Sequence, residues 1–153
     1  AIDEKRLGVL GGSYGGFMCN WIIGHTRRFA AAASQRSIAS WITLFGTCDI
    51  GLSFDLREVQ ATPFTDMRKM WDQSPMQFAN QAKTPTLFIN SMEDYRCWLP
   101  EGISMYTALK LNGVPARMCL FKGENHELSR SGKPKHRMRR LKEIKGWLYQ
   151  YIM

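Results

Sequence analysis

The run Gly11-Gly12-Ser13-Tyr14-Gly15-Gly16 follows directly on the apolar stretch Leu7 to Leu10. It fits G-x-S-x-G, a pattern that places a serine on a sharp turn between a strand and a helix, a nucleophile elbow. Such a turn is strained, so its flanking positions are glycine, which lets the strand and helix backbones approach without a Cβ clash. The helix that follows points its first amide groups at the serine, where an oxyanion forms in acyl transfer. A glycine-rich strand-to-helix turn also serves phosphate loops, but neither G-K-[ST] nor G-x-G-x-x-G is present.

A serine hydroxyl needs a base, and the base needs an orienting carboxylate. The chain has three histidines. His25 lies at the expected end of the helix after the elbow, and a rise of ~1.5 Å per residue carries it away from Ser13. His136 sits among Lys133, Lys135, Arg137, Arg139 and Arg140, which reads as a solvated basic face. His126 follows the apolar run Met118 to Phe121 and the polar turn Lys122-Gly123-Glu124-Asn125, on a loop at a strand's carboxyl end. Open α/β sheets keep their chemistry at that end, so His126 is the candidate base.

Thr86-Leu87-Phe88-Ile89-Asn90 reads as a buried strand introduced by Pro85, with Glu93 and Asp94 just beyond it. Both carboxylates fall on the loop at the carboxyl end of that strand, and either is placed to reach His126. Asp49, Asp55, Asp66 and Asp72 lie where strand signals are weaker, and read as turn or cap residues.

Three ordered segments, Gly11 to Phe17, Asp94-Tyr95-Arg96-Cys97 and Gly123-Glu124-Asn125-His126-Glu127, resemble the serine peptidases of the prolyl oligopeptidase family, in the acylaminoacyl-peptidase-like branch. Trp71-Asp72-Gln73-Ser74-Pro75 and the run His126 to Arg140 resemble that branch too, and Trp98 departs from it where the motif often has proline. The resemblance implies an α/β fold, the carboxyl-terminal half of an α/β-hydrolase domain, with about four parallel strands flanked by helices. It implies Ser13 as nucleophile, Asp94 as orienting acid, His126 as general base and the Tyr14 backbone N–H as one oxyanion donor. Glu93 is then a neighbouring or solvated carboxylate. The expected activity is cleavage of peptide or acylaminoacyl bonds through an acyl-enzyme, with ester hydrolysis on the same triad as the alternative. No metal or organic cofactor is needed, and the three side chains should converge within hydrogen-bond reach.

At 153 residues the chain is long enough for one domain with a core, yet shorter than the catalytic domain it resembles, whose elbow is preceded by several strands. The resemblance therefore implies a partial domain over residues 1–153, with the β-propeller, the first strands and the loop supplying a second oxyanion donor lying upstream. Arg6 to Leu10 would then be a sheet edge, paired by self-association or by the upstream half.

No apolar run approaches the ~18 residues of a membrane span, and no membrane partner is expected. Cys19, Cys48, Cys97 and Cys119 form no C-x-x-C pair and sit in or beside apolar runs, which reads as buried thiols in a reducing, cytoplasmic compartment. The net charge of +8 gathers between Lys122 and Lys145, raising a basic binding module, or a non-catalytic half that only assembles, as alternatives. The run's other face carries Met138, Leu141, Ile144, Trp147, Leu148 and Tyr151 at helical spacing and is expected to pack on a core, which argues for a solvated helix and no nucleic-acid partner.

Strands are expected at about 6–10, 29–33, 86–90 and 116–121, and helices at about 14–25, 99–112 and 133–152. Shorter helical turns are expected near 38–44, 65–72 and 75–81, the last capped by Ser74, with a Gly/Ser/Asp-rich loop between 44 and 61. Phe17, Trp41, Phe45, Tyr95 and Trp98 are candidate pocket aromatics.

Overall fold

A computed structural model describes residues 2–153. Its centre is a four-stranded, wholly parallel sheet formed by β1 (Gly8–Gly12), β2 (Ala31–Gln35), β3 (Thr86–Ser91) and β4 (Ala116–Phe121), side by side in that order. Helix α1 (Tyr14–His25) joins the first two strands and α5 (Leu99–Leu111) joins the last two. Between β2 and β3 run α2 (Trp41–Thr47), α3 (Gly51–Glu58), α4 (Met67–Asp72) and a 3₁₀ helix over Pro75–Gln81. The short α6 (Leu128–Ser131) and the long α7 (Pro134–Ile152) complete the chain.

The two inner strands are buried along their whole length. Their side chains alternate between faces with the period of two that a pleated strand imposes. Ala32 and Phe88 join Cys19 and Ile23 of α1 and Met105 and Leu109 of α5 in one core layer. Ala31, Ala33, Leu87 and Ile89 meet Phe121, Leu128, Ile144 and Trp147 on the other face. A third cluster joins Phe17 and Cys97 to Ile38, Trp41, Leu44, Val59 and Met70 from the segment between β2 and β3.

The expected α/β architecture forms, with four differences of detail. β1 and β2 each sit two residues later than expected, because Gly11 and Gly12 go on pairing with Ser34 and Gln35. The stretch read as a Gly/Ser/Asp-rich loop contains α3, where tertiary packing overrides weak local preference: the backbone at Gly51 lies so close to α2 that a Cβ there would be 2.5 Å from Phe45 O. Ser74 holds the expected N-cap position before Pro75, but its side chain makes no cap hydrogen bond. Its hydroxyl donates to Met70 O (2.7 Å) and accepts from Trp41 N (3.0 Å). The apolar stripe of α7 is buried only in its second half, at Ile144 and Trp147, while Met138 and Leu141 are exposed.

Among the described residues, no helix is long and apolar enough to cross a membrane. All four cysteines are free, with Cys19 and Cys97 buried but Cys48 and Cys119 only partly so.

Candidate active site

Ser13 occupies the single residue between β1 and α1, with φ 63° and ψ −123°. A non-glycine residue at positive φ is held there only by its surroundings, and here the Ser13 N–H donates to Gln35 O on β2 (3.0 Å). The close approach behind the turn falls on Gly11 and Gly16. A Cβ at Gly11 would lie 2.1 Å from Gly15 O, and one at Gly16 would lie 2.6 Å from Gln35 O. Gly15, the second glycine of G-x-S-x-G, has open space where its Cβ would be, contrary to the expectation that both flanking glycines are sterically required.

Asp94 lies on the loop after β3. Its side chain is solvent-inaccessible, and its Oδ1 accepts from Arg96 N (3.0 Å) and Cys97 N (2.8 Å). His126 lies on the loop after β4, with its ring between the other two groups. Nδ1 is 2.9 Å from Asp94 Oδ2 and 3.1 Å from Oδ1, and Nε2 is 2.9 Å from Ser13 Oγ. A carboxylate on one side and a hydroxyl on the other favour a proton on Nδ1 and leave Nε2 as an acceptor. The sequence-expected Ser13, Asp94 and His126 are thus brought together, from three different strand ends along one sheet edge. Tyr14 is the first residue of α1, where a backbone N–H has no partner within its helix.

Glu93 does not reach His126. It is exposed, and its Oε1 accepts from Gly123 N (3.1 Å), tying two loops together. His25 stacks on Trp21 at the far end of α1, its Nδ1 2.7 Å from Trp21 O. His136 departs from the solvated-face expectation: it is partly buried, its Nδ1 lies 2.6 Å from Glu124 Oε1, and its ring packs edge-on to Phe121.

Beside Ser13 is a pocket walled by Tyr14, Ile38, Leu44, Cys48, Phe54 and Cys97, with Arg96 at its rim. None of the five aromatics proposed from sequence lines it. Phe17, Trp41 and Phe45 belong to the core cluster beneath, and Tyr95 and Trp98 pair with each other at the surface. Ile38, Leu44 and Phe54 could not be found from sequence because they meet only when α2 and α3 fold back on the elbow. Burial pushes the Cys48 thiol up to about 11, and burial together with the nearby Asp94 carboxylate raises Cys97 further. Hydrogen bonding to Arg96 holds the Asp49 carboxyl below its ordinary range. Among the described residues, no group of three or more His, Cys, Asp or Glu side chains is arranged to hold a metal ion.

Residues 1–153 match the profile of the prolyl oligopeptidase family. The chain is 44% identical over 151 residues to the uncharacterized peptidase YuxL of Bacillus subtilis, covering 99% of this chain and 23% of that protein. It is 34% identical to dipeptidyl-peptidase 5 of Schizosaccharomyces pombe, covering 97% and 22%. Among solved structures, Pyrococcus horikoshii acylaminoacyl peptidase superposes with a TM-score of 0.94 at 35% identity, over 98% of this chain and 25% of that one. A second, acylaminoacyl peptidase in complex with Z-Gly-Gly-Phe-chloromethyl ketone, gives 0.93 at 35% identity over 98% and 24%. The chain therefore spans about a quarter of the length of the relatives it matches.

Proposed function

This chain belongs to the prolyl oligopeptidase family of serine peptidases, and from that premise we propose that it carries the catalytic triad of a peptidase cleaving peptide or acylaminoacyl bonds. The observation that carries the reading is the unbroken chain of contacts from Ser13 Oγ through the His126 ring to Asp94, each 2.9 Å long. His126 Nε2 takes the hydroxyl proton as Ser13 Oγ attacks the acyl carbonyl. Asp94 holds the ring's orientation and stabilises the imidazolium. The Tyr14 N–H, at the positive end of α1, donates to the oxyanion. His126 then returns the proton to the leaving amine, and water hydrolyses the acyl-enzyme by the same steps in reverse.

The pocket beside Ser13 is mostly apolar, which suits an uncharged, apolar side chain on the acyl side of the scissile bond. The acylaminoacyl peptidase structure with Z-Gly-Gly-Phe-chloromethyl ketone holds a phenylalanyl ligand, and that class of substrate is proposed here. Free thiols at Cys48 and Cys97 beside the site suit a reducing, cytoplasmic setting.

Among the described residues, no strand lies on the outer side of β1, and Leu10 and Met18 are exposed. An unpaired apolar edge templates another strand. In the whole protein an upstream segment pairs with it, completes the sheet and supplies the second oxyanion donor. The isolated 153-residue chain is expected to self-associate and to hydrolyse peptides weakly, since one missing donor alone costs about 10²–10³ in rate.

The test is labelling of the full-length protein with a fluorophosphonate, together with hydrolysis of an acetyl-peptide. Labelling is expected on Ser13, and both signals should vanish in Ser13→Ala and His126→Ala. Turnover that survives Ser13→Ala would refute the reading.

A further inference from the structure

Arg36 stands directly after β2, at φ 37°, one of three non-glycine residues with positive φ among those described. The other two are Gln60 and the elbow serine itself. Left-handed backbone suits glycine or asparagine and strains an arginine, so the side chain is the place to look for what this position does.

The backbone of Arg36 is pinned by the sheet. Its N–H donates to Ile89 O on β3 (2.7 Å), while the preceding Gln35 accepts from Ser13 N. The half-buried side chain then crosses the end of β1. A Cβ built on Gly12, the residue before Ser13, would meet Arg36 Nε at 3.1 Å and Nη2 at 3.2 Å. Beyond that point Nη1 donates to the backbone carbonyl of His126 at 2.9 Å. One guanidinium therefore lies against the nucleophile's neighbour and binds the backbone of the base.

The histidine loop has other ties, but they come from elsewhere. Glu93 binds its start through Gly123 N and Glu124 O, Asp94 holds the imidazole, and Asn125 braces it internally through Glu127 N and Leu128 N. Among the described residues, the bond from Arg36 is the one hydrogen bond joining the β1–β2 side of the sheet to the backbone of that loop. Among the described residues, no carboxylate forms an ion pair with Arg36, which leaves its donors to serve the carbonyl.

We propose that Arg36 is a positioning residue for the hydrolytic reaction, fixing the distance between Ser13 Oγ and His126 Nε2 by clamping the His126 carbonyl against the elbow. The proposal rests on the triad reading above. It assigns Arg36 no contact with substrate, and therefore predicts an effect on the chemical step with little effect on substrate binding.

The test uses Arg36→Gly, Arg36→Lys and Arg36→Ala in the full-length protein. Glycine relieves the positive φ, so Arg36→Gly is expected to melt at or above the wild-type temperature. Loss of the clamp should nonetheless lower kcat and the rate of fluorophosphonate labelling about 10–100-fold, the scale on which misplaced catalytic groups fail, with KM changed less than about threefold. Added guanidinium ion should restore part of the Arg36→Gly rate, and sodium at equal ionic strength should not. Lysine, which keeps a donor on a long stem, should fall between glycine and wild type. Wild-type labelling by Arg36→Gly, or a loss of rate that tracks a loss of melting temperature across the three variants, would overturn the proposal. Ser13→Ala and His126→Ala serve as controls: if they keep activity the triad reading has failed, whereas if they abolish it and Arg36→Gly is unimpaired, the failure belongs to the clamp alone.

Discussion

Arg96 grips the Asp49 carboxylate through Nε and Nη2, while its own backbone N–H donates to Asp94. One residue thus links the α2–α3 connection, which forms a wall of the apolar pocket, to the loop that carries Asp94. The pair is about half exposed, and exposed ion pairs are worth only about 0–1 kcal/mol. Asp49→Asn is therefore expected to raise KM by no more than about fivefold and to leave kcat nearly unchanged. Kinetics at low and high salt check this, because screening should erase most of the difference. A large loss of kcat would place Asp49 in the chemistry instead.

Asp94→Asn should keep the fold, since the carboxamide oxygen can still accept from Arg96 N and Cys97 N. It should lower kcat about 10⁴-fold by presenting the wrong hydrogen-bond partner to His126 Nδ1. Adding His126→Ala to it should cost much less than His126→Ala costs alone, because the residues act as one unit. Single-turnover acylation of the single and double variants is the measurement, and additive losses would contradict it.

Gly11→Ala and Gly15→Ala should part company. The first drives a Cβ to 2.1 Å from a backbone oxygen, whereas the second enters open space on the first turn of α1. Urea denaturation should show Gly11→Ala losing ~1–3 kcal/mol. Gly15→Ala should be neutral or slightly stabilising, as alanine for glycine in a helix generally is. Equal losses at both positions would mean that the elbow needs glycine at 15 for a reason other than space.

Asp55 is buried with both carboxylate oxygens unpartnered, and burial, reinforced by the nearby Glu101, raises its pKa from 3.8 to about 7. The folded state thus holds this proton more tightly than the unfolded chain. The contribution to stability is full below about pH 4 and is lost as pH rises toward 7. Glu101 is shifted the same way by burial, although Ala39 N, Ser40 N and the Thr43 hydroxyl donate to its carboxylate. At about 1.4 kcal/mol per pKa unit, Asp55 accounts for up to roughly 4 kcal/mol. Asp55→Asn should flatten the fall in melting temperature between pH 5 and 8 and be the more stable form at pH 8. An unchanged pH profile would show that the carboxylate finds a partner in solution.

The elbow, the four strands and the convergence of Ser13, Asp94 and His126 were legible because each rests on a local signal: a glycine turn, a buried apolar run, a polar loop at a strand end. What could not be read depends on distant segments meeting. Helix α3 takes its shape from packing on α2, so Gly51 to Glu58 looked like a loop. The pocket takes Ile38, Leu44 and Phe54 from three places, and the aromatics that looked suited to it, Phe17 and Trp41, went into the core beneath. Met138 and Leu141 share the helical period of Ile144 and Trp147 but lie too early on α7 to be covered. Choosing Asp94 over Glu93 needed more than position, since both follow β3: the family resemblance made that choice, and in the structure Asp94 turns inward to His126 while Glu93 turns out to Gly123.

The strand order places Ser13 after β1 and His126 after β4, three neighbours away, or about 14 Å at the usual spacing of strands. The histidine loop must arch back over β3 and β2 to bring Nε2 to Ser13. Its bonds to Glu93 and Asp94 need only β3 and β4, but Ser13 and Arg36 meet it only once β1 and β2 have joined them. Labelling of Ser13 would therefore report the completion of folding.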